Sequence, residues 1–303
     1  MSIPRITKIG PEKGDGFEFE WECSYLHAHL LSDVGNKREH NEDACMLSVP
    51  EDPALTRSDG ALFAVADGMG GASAGECASR WTLETLADRV FAEGEGSIPV
   101  RLCEAIEAAN QRVYEQASSD PEQYYGMGTT ASVVVVRGNY AYVVQVGDSR
   151  VYIVRDGGRL HQVTRDHSIV AEQVRYGLIT EEEARLHPHK NIITRAIGIK
   201  ETIKVDLFAF GLKVGDTMLI CSDGLSNMVG DPEIGETLKI EKLPAATHRL
   251  VNRALAEGGA DNITVLLVRV TDTPPKMPLE KGVSEVTIPH QGIFDRLRRF
   301  TGL

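Results

Sequence analysis

Five aspartates stand where short apolar runs begin or end. Leu62-Phe63-Ala64-Val65-Ala66 stops at Asp67, Tyr140 to Val146 runs into Gly147-Asp148, and Thr217 to Ser222 stops at Asp223. Asp43 and Asp261-Asn262 come just before Ala44 to Val49 and Ile263 to Val270. Apolar runs of this length read as buried strands. An ionised carboxylate at such a strand end is poorly placed unless something positive meets it. Taken singly, each aspartate also fits an ordinary Asp-Gly turn. Taken together they suggest more, because the strand ends of an antiparallel sandwich can share one edge. Two like charges ~4 Å apart cost roughly 4 kcal/mol at an effective dielectric near 20. A gathered set therefore implies raised pKa values or bound metal. With only oxygen donors, the set suits magnesium or manganese and not zinc. Gly68, Gly70 and Gly71 clear side chains from beside Asp67, and Arg38 supplies a cation close to Glu42 and Asp43 in sequence.

The chain that must position these residues has 303 residues and a formal net charge of -12. That length allows one large domain or two small ones, and the charge argues against a nucleic-acid surface. Cys23, Cys45, Cys77, Cys103 and Cys221 are odd in number and form no C-x-x-C pair, which fits buried thiols in a reducing compartment. Met1 to Gly10 has no apolar leader core, and no run approaches the length of a membrane span. The expected location is cytoplasmic.

Along the chain, residues 1–24 read as an extension. Phe17, Phe19 and Trp21 alternate with Glu18, Glu20 and Glu22, so this stretch is expected to add an edge strand. Leu26 to Ser32 and Ala44 to Val49 are the first core strands. Two helices follow the Asp67 turn: one over about Gly75 to Phe91, and one carrying Leu102, Ile106, Ala109, Val113 and Ala117 on a single face. Thr129 to Val136 and Tyr140 to Val146 form a hairpin about Gly138-Asn139, and a second hairpin surrounds Asp156-Gly157-Gly158. Residues 164–198 read as a polar flap with two short helical pieces, the second with capping-box spacing at Thr180 and Glu183. A helix over about Ala245 to Ala256 precedes the last strand. Residues 272–303, after Thr273-Pro274-Pro275, are expected to be a mobile tail, with a short basic amphipathic helix over Ile293 to Phe300 suited to a partner or an anionic membrane surface.

Read in order, the motifs resemble the protein phosphatase type 2C family, the metal-dependent serine/threonine phosphatases, in its bacterial form. They are Ser32-Asp33-Val34-Gly35 with Arg38 and Asn41-Glu42-Asp43, then Asp67-Gly68-Met69-Gly70-Gly71, Gly128-Thr129-Thr130, Gly147-Asp148-Ser149-Arg150, Ser222-Asp223-Gly224 and Asp261-Asn262. The likeness spans residues 25–271. It implies an α+β fold, two packed antiparallel β-sheets flanked by helices, with a metal centre at one edge. On this resemblance Asp67 bridges two Mg2+ or Mn2+ ions, the Gly68 carbonyl binds one of them, and Asp223 and Asp261 hold the other. Glu42 and Asp43 act directly or through bound water, Asp148 helps to hold a third ion, and Arg38 grips the substrate phosphate.

The implied reaction is hydrolysis of phosphoserine and phosphothreonine in proteins, opposing a serine/threonine kinase. A water between two divalent ions loses a proton readily and attacks phosphorus in line. A cysteine-based phosphatase needs an arginine six residues after its thiolate, and none of the five cysteines has one. A pseudophosphatase serving as a partner-binding module is the alternative. It predicts missing ligands, whereas the core set here is intact. One departure stands out: many eukaryotic relatives place a histidine, proposed as general acid, where this chain has Met69, which donates no proton. His40, His167, His187 and His189 are read as surface or structural residues.

Overall fold

The computed structural model describes residues 3–12, 16–70, 74–93, 96–124, 126–155, 158–240 and 242–288. Two six-stranded antiparallel sheets face one another. Across the first run β1 (Arg5–Gly10), β4 (Ala44–Pro50), β5 (Ala61–Ala66), β8 (Ala131–Arg137), β9 (Tyr140–Val146) and β12 (Asp206–Gly211). Across the second run β11 (Leu160–Gln162), β10 (Arg150–Val154), β13 (Thr217–Cys221), β14 (Ile263–Val270), β3 (Leu26–Asp33) and β2 (Gly16–Glu22). A two-stranded ribbon pairs β6 (Gly68–Met69) with β7 (Gly128–Thr129).

The apolar runs are long because the central strands are covered on both faces. Between the sheets, Leu30, Leu47, Phe63, Val65, Val134, Val143, Ile153, Phe210, Ile220 and Leu266 form one core. The outer face of the first sheet packs Leu62, Ala64, Val133 and Val144 under α2 (Ala74–Arg89) and α3 (Ile98–Ser119). The outer face of the second packs Leu219, Val265 and Leu267 under α6 (Asp223–Ser226), α7 (Asp231–Ile240) and α8 (Leu243–Ala256). The short α1 (Thr56–Asp59) precedes β5, and the flap carries α4 (Ile169–Arg175) and α5 (Glu181–Leu186). The layering is helix, sheet, sheet, helix. The flap's second helix has the expected capping box, with Thr180 and Glu183 each accepting from the other's backbone N–H.

Three expectations need correction. The extension adds two edge strands, not one: β1 pairs with β4 in the first sheet and β2 with β3 in the second. Phe17, Phe19 and Trp21 on β2 pack against the inter-sheet core, as the alternation predicts, while the run Arg5 to Gly10 has no such pattern and is held by its neighbours. Arg5 donates to Asp59 at 2.6 Å and lies over the Phe91 ring at 3.5 Å.

The second correction concerns residues 272–288, which lie against the fold instead of trailing free. Val286 N–H bonds Ala209 at 2.6 Å, and Ile288 is buried in the inter-sheet core. Glu280 accepts from the N–H of Ile98 at 2.6 Å and pairs with Arg137 at 2.8 Å, so this segment supplies the carboxylate at the N-terminus of α3. The third is that β12 and α7 are elements the apolar pattern does not announce. The expected helix at Ile293 to Phe300 lies outside the described residues.

Register brings the aspartates to one end. Ala44 pairs with Ala66, which makes Asp43 and Asp67 neighbours beyond the last rung. Val146 pairs with Ala131 while Val65 pairs with Ser132, so Asp148 follows at the same end of the first sheet. In the second sheet Cys221 pairs with Val265 and Ile263 with Asp33, which sets Asp223 and Asp261 at the facing end.

Candidate active site

Close backbone approach builds the floor of this end. A Cβ on Gly68 would collide with the carbonyl oxygens of Gly75 and Glu42, so only glycine lets β6 pass beneath α2. A Cβ on Gly224 would likewise strike the Asn262 carbonyl where α6 begins. The Asp67 backbone is clamped by two threonines: its N–H donates to Thr130 Oγ1 at 2.9 Å, and its carbonyl accepts from Thr130 N–H and Thr129 Oγ1, each at 2.9 Å. Thr130 Oγ1 in turn meets Ser149 Oγ at 2.6 Å, tying the Asp67 strand end to the Asp148 turn.

The carboxylates crowd one another as expected. Burial first, and then the charges of Asp43, Asp223, Asp148 and Asp261, push the Asp67 carboxyl well above the usual range. It shares a hydrogen bond with Asp223, whose own pKa is raised to about 6 by burial and by Asp261. Asp148 is raised chiefly by burial and then by Asp223 and Asp166. Burial raises Asp43 to about 7, even though Ser222 Oγ donates to its Oδ2 at 2.7 Å. Glu42 is raised for the same first reason and is drawn down by Arg38.

Two observations test whether divalent ions fit. The buried Oε1 of Glu42 and Oδ1 of Asp43 have no hydrogen-bond partner, an arrangement that a cation or its water relieves. Among the described residues, no three of these carboxylates bring oxygens within 4.8 Å of one another. Water and backbone carbonyl would complete the shell of an ion held here, which is how magnesium is commonly bound. The residues fit the group.

Arg38 stands at the rim, 47% exposed, with Nη2 donating to Asp261 Oδ2 at 2.8 Å and Nη1 at 4.0 Å from Glu42 Oε2. The cation that lies beside Glu42 and Asp43 in sequence thus pairs mainly with Asp261, across 223 residues. Arg150, by contrast, is engaged with Asp166 through Nε at 3.0 Å and Nη2 at 2.7 Å, and takes no part in the rim.

Asn262 and His167 are positioning residues whose roles the motif reading left unassigned. Buried Asn262 donates to the carbonyls of Val34 and His40 at 2.9 and 3.0 Å and accepts from Glu42 N–H at 2.8 Å. It thereby fastens the loop that carries Arg38, Glu42 and Asp43. His167 is buried, as a structural histidine should be, and its Nδ1 accepts from Gly147 N–H at 3.1 Å beside Asp148. Arg195 meets its other nitrogen at 3.0 Å. His40 and His189 are exposed, and His187 is half-buried. Met69 lies in the ribbon opposite Gly128, where a Cβ would crowd its Cε at 2.7 Å.

A two-sheet sandwich whose strands deliver five aspartates and an arginine to one end belongs to the class built to hold hard cations beside an anionic substrate. Residues 36–266 match the family model described as Protein phosphatase 2C. The chain is 37% identical over 251 residues to serine/threonine phosphatase stp of Listeria monocytogenes, covering 80% of this chain and 95% of that one. Among solved structures, the S. agalactiae serine/threonine phosphatase superposes with a TM-score of 0.74 at 39% identity, over 81% of this chain and all of that one, 100%. The catalytic domain of PstP, solved in complex with 2 manganese ions, superposes with a TM-score of 0.69 at 37% identity, covering 82% and 99% of the two chains. The chain belongs to the protein phosphatase 2C family.

Proposed function

We propose that this chain removes phosphate from phosphoserine and phosphothreonine in proteins, using Mg2+ or Mn2+ held at the strand ends. The observation that carries the reading is the convergence of Asp43, Asp67, Asp148, Asp223 and Asp261, with buried carboxylate oxygens lacking partners. Asp67, the Gly68 carbonyl, Asp223 and Asp261 would hold the ions directly. Glu42, Asp43 and Asp148 are assigned to bound water or a third ion. Bound there, the ions supply Lewis-acid contacts and a water of lowered pKa.

The chain's own residues do the rest. Arg38 exchanges its contact with Asp261 for two phosphate oxygens, a geometry its planar fork matches. Ser222 and Asn262 keep Asp43 and Glu42 in place while the substrate arrives. Met69 offers no proton to the leaving alcohol. The complete ligand set counts against an inactive partner-binding module. Turnover of a phosphothreonine peptide in manganese is expected to fall at least a hundredfold in excess chelator and to return on adding the metal. Undiminished turnover in chelator would overturn the reading.

The flap is assigned to substrate selection. Its base is pinned by Thr194 N–H to His167 at 2.7 Å and by the paired bonds of Thr129 with Ile197 at 3.1 and 2.8 Å. Beyond that base, Tyr176 and Leu178 are 70% and 71% exposed, apolar groups that a peptide can cover. Tyr176→Ala with Leu178→Ser is expected to reduce kcat/KM for a phosphoprotein roughly tenfold while leaving a small aryl phosphate within twofold. Equal losses on both substrates would refute the assignment. By the same reading the partner is a protein phosphorylated by a serine/threonine kinase, and the setting is cytoplasmic. Arg296, Arg298 and Arg299 suit the tail to a partner or an anionic membrane surface. Among the described residues, no helix is long and apolar enough to cross a membrane.

A further inference from the structure

On the outer face of the second sheet, away from the strand ends just described, three chain segments bring nitrogen and oxygen ligands together. The Glu alternation of β2 points Glu18 outward. The β2–β3 register sets Glu18 opposite Leu31, which makes His29 its diagonal neighbour. Helix α8 lays His248 over the same spot. Glu18 Oε1 lies 3.1 Å from His29 Nε2 and 2.8 Å from His248 Nε2, and the three ligand atoms all fall within 4.8 Å of one another. We propose that Glu18, His29 and His248 bind a divalent ion of the zinc class, which fastens the N-terminal strand β2 to helix α8.

Chemistry separates this site from the catalytic end. Two imidazoles and one carboxylate form a borderline donor set that suits zinc, whereas the all-oxygen set suits magnesium or manganese. Zinc bonds of about 2.0–2.1 Å at tetrahedral angles put ligand atoms roughly 3.4 Å apart. The two contacts of Glu18 therefore need to open by roughly 0.3 and 0.6 Å. Glu18 and His248 are each 47% exposed and free to make that adjustment, while His29, 2% exposed, is the fixed ligand. The exposed side gives the ion a path in and leaves a fourth position for water.

Burial holds the His29 pKa below its ordinary value, which keeps the imidazole neutral as a ligand must be. His29 Nδ1 is buried without a partner. Zinc-bound histidines usually donate that second N–H to an acceptor, so the lack of one is expected to weaken the site about 10–100-fold relative to a fully supported site. Glu18 and His29 precede the family match at residues 36–266, so the site joins this chain's own extension to the shared domain.

The test uses the full chain saturated with magnesium, with one equivalent of zinc added and the imidazole 15N resonances followed. His29 and His248 Nε2 are expected to shift, amide exchange in β2 to slow, and added cobalt to give the strong visible bands of four- or five-coordinate N/O ligation. His248→Ala and Glu18→Gln, both at exposed positions, are expected to lose at least tenfold in zinc affinity while keeping manganese-dependent hydrolysis of an aryl phosphate. Asp67→Asn is expected to keep the zinc signals. Zinc affinity equal in the parent and His248→Ala, or unmoved imidazole resonances, would overturn the proposal.

Discussion

Asp67→Asn is expected to lower phosphopeptide turnover roughly a thousandfold. The substitution keeps the shape of the side chain but removes the charge that two cations would share, and a metal's stabilisation of transition-state charge is worth several kcal/mol. About 4 kcal/mol corresponds to that factor. The same change should stabilise the metal-free protein, because Asp67 sits among Asp43, Asp148, Asp223 and Asp261 and burial already disfavours its charge. The paired measurement is a thermal melt with and without manganese beside the turnover assay. The variant should melt higher than the parent in chelator and gain less from manganese. Turnover within tenfold of the parent would remove Asp67 from the centre of the mechanism.

Asn262→Ala is the second large effect, and it acts through position. It leaves Glu42 N–H and the carbonyls of Val34 and His40 without the partners they have at 2.8, 2.9 and 3.0 Å. Three such bonds at about 0.5–1.5 kcal/mol each suggest a loss of about 3 kcal/mol. For a domain of this size that is roughly a 10 °C fall in Tm. Activity measured well below the new melting temperature should still fall at least tenfold, because the released loop carries Arg38, Glu42 and Asp43 together. A melt lowered as expected with turnover unchanged would mean that the loop keeps its place without the asparagine.

How much of this was legible in the sequence depends on where the signal lies. The strand-end aspartates could be read because a buried run that stops at a carboxylate is a local event, and the antiparallel register then carries each one to the same end. Asn262 was visible only as the neighbour of Asp261, since its three partners lie some 220 residues away. Strand β12 offers just Leu207-Phe208-Ala209-Phe210 at a sheet edge, too short to separate from a loop. Helix α7 opens Asp231-Pro232 and contains Gly235, residues that read as punctuation. In the structure the proline sits in the first turn, where it is tolerated, and a Cβ on Gly235 would press on Leu160 at 3.3 Å. Glu280 is the clearest case of a hidden role: it closes the end of α3 from 182 residues away, and nothing local to Ser97 or Ile98 announces it.

The extension's two strands have a consequence for how the molecule meets its own copies. Each sheet presents one flank toward the N-terminus, and there the inner strands β4 and β3 would otherwise leave their outer backbone N–H and C=O groups unpaired. Bare flanks of that kind template pairing with another chain. By laying β1 along one and β2 along the other, the first 22 residues replace two sticky margins with margins set with Arg5, Lys8, Glu18, Glu20 and Glu22. The extension thus serves as a selvedge for the whole sandwich, and a chain trimmed back to the family boundary at residue 36 would lose β3 as well as both guards.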